Sequence, residues 1–352
     1  MNPFNFENDI DLCANIDIDW SKLDNKTIMI TGATGLVGKY LIQVLMRRNI
    51  IKKTNTKVIA IGRDKDNFNK RFDGVEGIEN IQFLQHNVQD PCDFEEHLDF
   101  IIHMASNTHP RLYATDPIGT EMTNILGTYY LLDLASKNPG CRFVFTSSGD
   151  IYGDNRSEKE YFEEVDCGYI DCNTLRAGYI EGKRASEALC NAFQESKGVD
   201  FVIPRLCRIY GPTMNLSDSK AISQFIKKAI AKEDIVLKSA GTQTFSYLYI
   251  FDVVSALLTI ISKGKNGEAY NISDNKQVIA LKDLASILAE IGECKVIFDL
   301  PDEVELKGAS TFQDVRLDAT KLYGLGWSSM VDIKDGLKNT VLTLRSNNVK
   351  KC

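Results

Sequence analysis

The stretch Thr27-Ile28-Met29-Ile30-Thr31-Gly32-Ala33-Thr34-Gly35-Leu36-Val37-Gly38 decides the fold. Its first five residues are apolar or β-branched and read as a buried strand, and residues 36–48 behind them read as an amphipathic helix. Glycines at 32, 35 and 38 let the backbone turn tightly, approach a pyrophosphate and pack the helix on the sheet. The helix N-terminus then faces the anionic phosphates. A glycine triplet alone is a weak signal, and the strand-turn-helix context near the start of an alternating chain gives this one its meaning. A phosphate-loop reading fails, because Gly38-Lys39 is followed by Tyr40 and the glycine spacing is one residue too long.

Outward from this unit the alternation continues. Residues 57–61, 99–104, 142–146 and 200–203 read as further strands, with helical stretches at 120–136 and 179–195. Continuous apolar strands separated by helices imply a parallel sheet covered on both faces, with its ligand at the carboxyl ends of the strands. After Arg205 the rhythm loosens, and residues 222–231, 281–291 and 333–344 read as helices of a smaller region. The expected architecture is therefore α/β. A polar lead-in covers 1–25 and a doubly wound, Rossmann-type domain covers 26–205, with a return segment at about 246–275. A smaller C-terminal α/β substrate domain is expected from 206–245 and 276–352.

Composition narrows the function classes. Of the 352 residues 43% are apolar and 25% charged, as in ordinary globular proteins, and a net charge of -7 offers no basic field for nucleic acid. Nine scattered cysteines without a Cys-x-x-Cys pair, and only four histidines, argue against a metal site or a disulfide framework. The acidic, polar stretch 5–24 is unlike a signal peptide, and no apolar run approaches a membrane span. The expected location is the cytoplasm, with no membrane partner.

The chemistry concentrates in Tyr179-Ile180-Glu181-Gly182-Lys183. Residues four apart on a helix share a face, so the phenol and the ammonium can converge on one point. An unperturbed tyrosine titrates near 10, and a lysine cation together with an oxidised nicotinamide nearby would favour its phenolate. Upstream, Thr146-Ser147-Ser148 ends a strand on the same sheet edge, where a hydroxyl could hold a reacting oxygen. At the end of the second strand, an acidic residue would bond the ribose of NAD and an arginine would receive the extra phosphate of NADP. Gly62-Arg63-Asp64 stands there, and Arg63 inclines the expectation toward NADP.

These motifs together resemble the extended short-chain dehydrogenase/reductase family, in its NAD-dependent epimerase/dehydratase branch, from Lys26 to Leu344. The markers run in order: the glycine turn, His103-Met104-Ala105-Ser106, Asn124 with Gly127-Thr128, Ser147-Ser148-Gly149-Asp150-Ile151-Tyr152-Gly153, Tyr179 with Lys183, and Arg208-Ile209-Tyr210-Gly211-Pro212. Gly241-Thr242-Gln243-Thr244, Gly267-Glu268-Ala269-Tyr270-Asn271-Ile272 and Leu325-Gly326-Trp327 complete the set. Glu181-Gly182-Lys183-Arg184 is most similar to UDP-glucuronate decarboxylases, and the layout also resembles dTDP-glucose 4,6-dehydratases and UDP-hexose 4-epimerases.

The resemblance implies a tightly bound NAD or NADP and a nucleotide-diphosphate sugar, in a homodimer paired through helices 120–136 and 179–195. Tyr179 would remove the proton from the sugar's 4-hydroxyl while a hydride leaves carbon 4; Ser148 would hold that oxygen and Lys183 the nicotinamide ribose. Cofactor contacts are expected from Gly32, Thr34, Gly35, Leu36, Val37, Gly38, Arg63, Asn87, Val88, Met104, Ala105, Ser106, Asn124, Ser147, Tyr179 and Lys183. Substrate contacts are expected from Asn107, Ser148, Gly149, Arg208, Gln224 and Arg316, with Asp150 a further catalytic candidate. Asn87 stands where the family usually has an aspartate near the adenine.

Three departures bear on the later step. The 4,6-dehydratases carry an Asp-Glu pair where this chain has Gly149-Asp150, which counts against dehydration. The decarboxylases carry an arginine where this chain has Phe245, which weakens decarboxylation. The asparagine usual before the Tyr-Gly-Pro turn is Arg208, a cation from another direction. Epimerisation, decarboxylation and dehydration thus stay open. A reductase of small carbonyl compounds and a non-catalytic cofactor-binding protein are the competing classes.

Overall fold

The computed structural model describes residues 6–108, 110–156, 159–299 and 314–349. Its first half runs α1 (Phe6–Cys13), β1 (Thr27–Thr31), α2 (Leu36–Lys52), β2 (Lys57–Gly62), α3 (Lys65–Phe72), β3 (Ile81–Gln85), β4 (Phe100–His103), α4 (Pro110–Thr115), α5 (Pro117–Ser136), β5 (Arg142–Phe145) and β6 (Ser147–Ser148). Then come α6 (Ala177–Lys197), β7 (Asp200–Leu206), β8 (Arg208–Tyr210), α7 (Ala221–Ala231), β9 (Ile235–Leu237), β10 (Thr244–Tyr249), α8 (Ile250–Lys263), β11 (Glu268–Ile272), β12 (Val278–Ala280), α9 (Leu281–Gly292), β13 (Val296–Phe298) and β14 (Asp314–Val315). Helices Thr320–Tyr323 and Ile333–Val349 close the chain.

The main sheet has the order β11-β7-β5-β4-β1-β2-β3, with β6 added to β7, and every pairing in it is parallel. Its central strands have unbroken apolar middles because helices cover both faces: Ile28, Met29, Ile30, Ile101 and Ile102 are all buried. The chain winds one way from β1 to β3 and the other way from β4 to β11. The order therefore reverses between β1 and β4, where a doubly wound sheet leaves a crevice at its carboxyl edge. The return to the sheet through α8 and β11 crosses from a second, smaller layer. There β8, β10, β12 and β14 form a four-stranded mixed sheet, and β9 pairs with β13.

Two elements escape a reading by periodicity, for opposite reasons. Helix α8 is buried on every side from Ile250 to Ser262: its polar residues Asp252, Ser255, Thr259 and Ser262 recur at helical spacing but face protein instead of solvent, and they are too few to break the apolar run. Helix α3 is polar or charged throughout except for Phe68 and Phe72, its two buried residues.

Within the lead-in, α1 packs on α2 and α8. It carries Asp9 into the interior, where the carboxylate accepts hydrogen bonds from the Tyr249 hydroxyl (2.5 Å) and Asn339 Nδ2 (2.7 Å). Burial raises the Asp9 pKa to about 6, against the pull of those two bonds. An acid whose folded pKa lies above its ordinary value contributes fully below that ordinary value, and its contribution is lost as pH rises through about 6. Asn can accept the same two bonds without ionising. Asp9→Asn is thus expected to raise the melting temperature by about 2 to 4 °C at pH 8 and by little at pH 4 in scanning calorimetry. An equal gain at both pH values would remove the ionisation of Asp9 as the cause.

Candidate active site

The site begins at the β1–α2 turn. Gly32 has φ +69°, and a Cβ there would lie 2.8 Å from the Met104 carbonyl carbon and 2.9 Å from the Ala105 nitrogen. A Cβ on Gly38 would lie 2.4 Å from the Gly32 oxygen, so the helix can sit on the turn only with glycine there. Gly35 is the N-cap of α2 and supplies no side-chain cap, which leaves the first N–H groups of a 17-residue helix for another acceptor. Thr31 ties this turn to the next strand: its hydroxyl accepts the Met104 and Ala105 N–H groups (3.1 and 3.0 Å) and bonds His103 Nδ1 at 2.8 Å.

A cavity of about 560 Å³ opens from this turn along the carboxyl edge of the sheet. At one end it is lined by Gly32, Thr34, Gly35, Leu36, Val37, Gly38, Arg63, Asn87 and Val88. Its middle is lined by Met104, Ala105, Ser106, Asn107 and Ser147, and its far end by Ser148, Gly149, Asp150, Tyr179, Lys183 and Arg208. Three predicted contacts are not in that wall. Asn124 lies one layer behind it, fully buried, and accepts a 2.9 Å hydrogen bond from the Ser106 hydroxyl. The Gln224 amide donates to the Asp218 carbonyl at 2.6 Å. The Arg316 guanidinium lies 3.6 Å from Asp314.

The residues present fit a dinucleotide. The glycine cradle excludes any side chain, the uncapped helix end awaits an anion, and the Ser147 hydroxyl is buried in the wall without a hydrogen-bond partner among the described residues. At the adenosine end, the Asp64 carboxylate is engaged as the N-cap of α3, accepting from the Asn67 N–H at 2.9 Å. Arg63 is left as the charged side chain of that corner facing the cavity.

At the other end α6 presents Tyr179 and Lys183, both buried. The Lys183 ammonium donates to the Thr146 carbonyl at 2.7 Å and lies 4.6 Å from the centre of the Phe145 ring. Burial lowers its pKa to about 7, with Glu187 and Cys190 pulling the other way. The Tyr179 ring stacks on Tyr113, with centroids 5.1 Å apart. Its hydroxyl bonds Ser148, whose Oγ in turn accepts the Asp150 N–H at 3.2 Å. Lys183 by itself does not lower the Tyr179 pKa. Burial and then Asp150 push it well above the ordinary tyrosine value, while Ser148 and Arg176 oppose that rise. The lysine cation is spent on the Thr146 carbonyl, and in this environment the phenol stays protonated.

The far end explains two of the departures. A side chain on Gly149 would meet Leu317 at 3.0 Å, and Leu317 is fully buried, so no carboxylate fits there without moving the core. The Arg208 guanidinium lies over the Phe245 ring at 3.7 Å and has no hydrogen-bond or ion-pair partner among the described residues. Sequence reading missed Tyr113 and Lys220, which also line the cavity. Lys220 stands 4.0 Å from Asp218 in a polar loop that reads as solvated surface, and only its place before α7 hints at more. Among the described residues no His, Cys, Asp or Glu group could hold a metal ion, and no helix is long and apolar enough to cross a membrane.

Residues 28–273 match the family model described as "NAD dependent epimerase/dehydratase family". The chain is 30% identical over 332 residues to UDP-glucuronic acid decarboxylase 1 of Xenopus tropicalis, covering 91% of this chain and 72% of that protein. An epimerase structure from Methanothermobacter thermautotrophicus superposes with a TM-score of 0.79 at 22% identity, over 99% of this chain and 98% of the other. A dTDP-glucose 4,6-dehydratase from Streptomyces venezuelae, with NAD bound, superposes with a TM-score of 0.76 at 21% identity, over 92% and 98%. At those identities the two structures speak for the fold. The extent of the family match and the relative at 30% identity carry the assignment: this chain belongs to the NAD-dependent epimerase/dehydratase family.

Proposed function

We propose that this chain is an enzyme acting on a nucleoside diphosphate sugar by transient oxidation at carbon 4 of the sugar. One observation carries the reading: the Tyr179 and Ser148 hydroxyls and the uncapped glycine turn open into the same cavity. When bound, the nicotinamide supplies hydride acceptance and return. The chain's own part is to hold the sugar oxygen between Ser148 and Tyr179 and to move its proton. Lys183, fixed on the Thr146 carbonyl, presents a nearly neutral-range ammonium to that corner. Arg208, unpaired and stacked on Phe245, is the cation for the substrate diphosphate.

Loss of water across carbons 5 and 6 calls for a second acid beside Asp150, and Leu317 fills the space it would take. Epimerisation or loss of carbon dioxide is the later step, and relatives named UDP-glucuronic acid decarboxylases favour a UDP-sugar as substrate. Exposed Ile118 and Tyr129 on α5 support a homodimer, and the absence of an apolar spanning helix among the described residues agrees with a cytoplasmic site of action. The test is calorimetric titration with UDP, dTDP, GDP and CDP. Micromolar binding of at least one supports the reading, and binding of none would return the small-carbonyl reductase.

Arg63 supports NADP over NAD, since Asp64 is committed to capping α3. Dinucleotide extracted from the purified protein and weighed is expected to be NADP(H), with Arg63→Ala binding it about tenfold more weakly. Recovery of NAD(H) alone would overturn this preference and leave the proposed reaction standing.

A further inference from the structure

Arg71 on α3 lies outside the cavity wall, yet it joins two segments that border the cavity. Its Nε donates to the Thr34 carbonyl at 3.1 Å, inside the glycine turn. Its Nη2 donates to the Thr213 carbonyl at 2.5 Å, 142 residues further along the chain. Thr213 answers in the opposite direction, its hydroxyl donating to the Leu36 carbonyl at 2.8 Å. Thr34 and Leu36 line the phosphate end of the cavity, and Met214 and Asn215, next to Thr213, line the facing wall. The guanidinium is partly buried and has no carboxylate partner among the described residues, and burial lowers its pKa. An unpaired cation of this kind is costly to bury unless its donors are used, and here two of them are, on carbonyls of two segments far apart in the chain.

Resting on the proposed dinucleotide site, we propose that Arg71 is a positioning residue that straps the cofactor in. Neither Arg71 nor Thr213 is itself in the cavity wall, so the bridge works from behind it: it ties the glycine turn to the turn after Tyr210 and holds those two segments together around the dinucleotide. Such retention suits the proposed reaction, because a cofactor that accepts a hydride and must return it to the same sugar cannot exchange between the two transfers. Arginine is required because its forked donors reach two carbonyls at once, whereas a lysine is a single point of contact. Thr213 is the second strut, and it acts from outside α3.

The strap is tested by loading the full-length protein with labelled NAD and, separately, labelled NADP, isolating the complex, and chasing with excess unlabelled dinucleotide. The parent is expected to retain label. Arg71→Ala and Thr213→Val are expected to release it at least about tenfold faster at unchanged stoichiometry, with Arg71→Lys in between. Thr213→Val keeps the test open should Arg71→Ala fold poorly. Variants that load fully and hold label as long as the parent would overturn the strap alone. A parent that loads neither dinucleotide would overturn the strap together with the cofactor reading beneath it.

Discussion

Tyr179→Phe is expected to lower turnover by about 10² to 10⁴-fold while leaving dinucleotide binding and the melting temperature close to the parent's. The substitution removes one oxygen and keeps the ring, so the stacking on Tyr113 survives and only the bond to Ser148 is lost. The environment makes the size of the effect interpretable. Burial and Asp150 hold the phenol protonated, so the protein alone does not provide a phenolate at neutral pH. In the proposed reaction an oxidised nicotinamide, when bound, would supply the positive charge that favours release of the proton from Tyr179. Single-turnover measurements on the loaded Phe variant should show the chemical step itself slowed. Near-parental turnover in a pure, folded Phe variant would take Tyr179 out of the mechanism.

Arg208→Ala is expected to raise the Michaelis constant at least about tenfold, equivalent to about 1.4 kcal/mol of lost binding, with a smaller change in turnover. Arg316→Ala should have the lesser effect. Both were sequence candidates for gripping a diphosphate, and the structure separates them. Arg208 faces the cavity over an aromatic ring and spends no donor on the protein, whereas Arg316 pairs with Asp314 and is absent from the wall. Phe245 contributes by orienting Arg208, so Phe245→Ala should reproduce part of the loss. Equal affinity of parent and Arg208→Ala for the preferred nucleoside diphosphate in calorimetry would move the diphosphate clamp elsewhere.

What could be read from the sequence depended on whether a residue's role is local. The glycine turn, Tyr179 with Lys183 and Ser147-Ser148 are short segments whose geometry follows from one strand or one helix, and they meet in one cavity. The parallel sheet was legible because strands buried on both faces become unbroken apolar runs. Asn124 looked like a contact residue and is instead a buried support for Ser106, since a motif records that a residue matters without recording which layer it occupies. Gln224 shares that ambiguity. Long-range partnerships were invisible: nothing near Arg71 in the chain announces Thr213, and nothing near Asp9 announces Tyr249 or Asn339. The bond that Lys183 makes to the Thr146 carbonyl was equally invisible.

The central claim is that a retained cofactor performs oxidation and return on one sugar, and a single incubation tests it. Purified protein, with no dinucleotide added, is mixed with a panel of UDP-, dTDP-, GDP- and CDP-sugars, uronates included, and the products are weighed and resolved by stereochemistry. The account predicts many turnovers of at least one substrate per bound cofactor. The product should have lost carbon dioxide, or have kept its mass with inverted stereochemistry, and the dinucleotide should be unchanged at the end. Conversion only in proportion to added reduced dinucleotide, or no conversion of any sugar nucleotide, would contradict it.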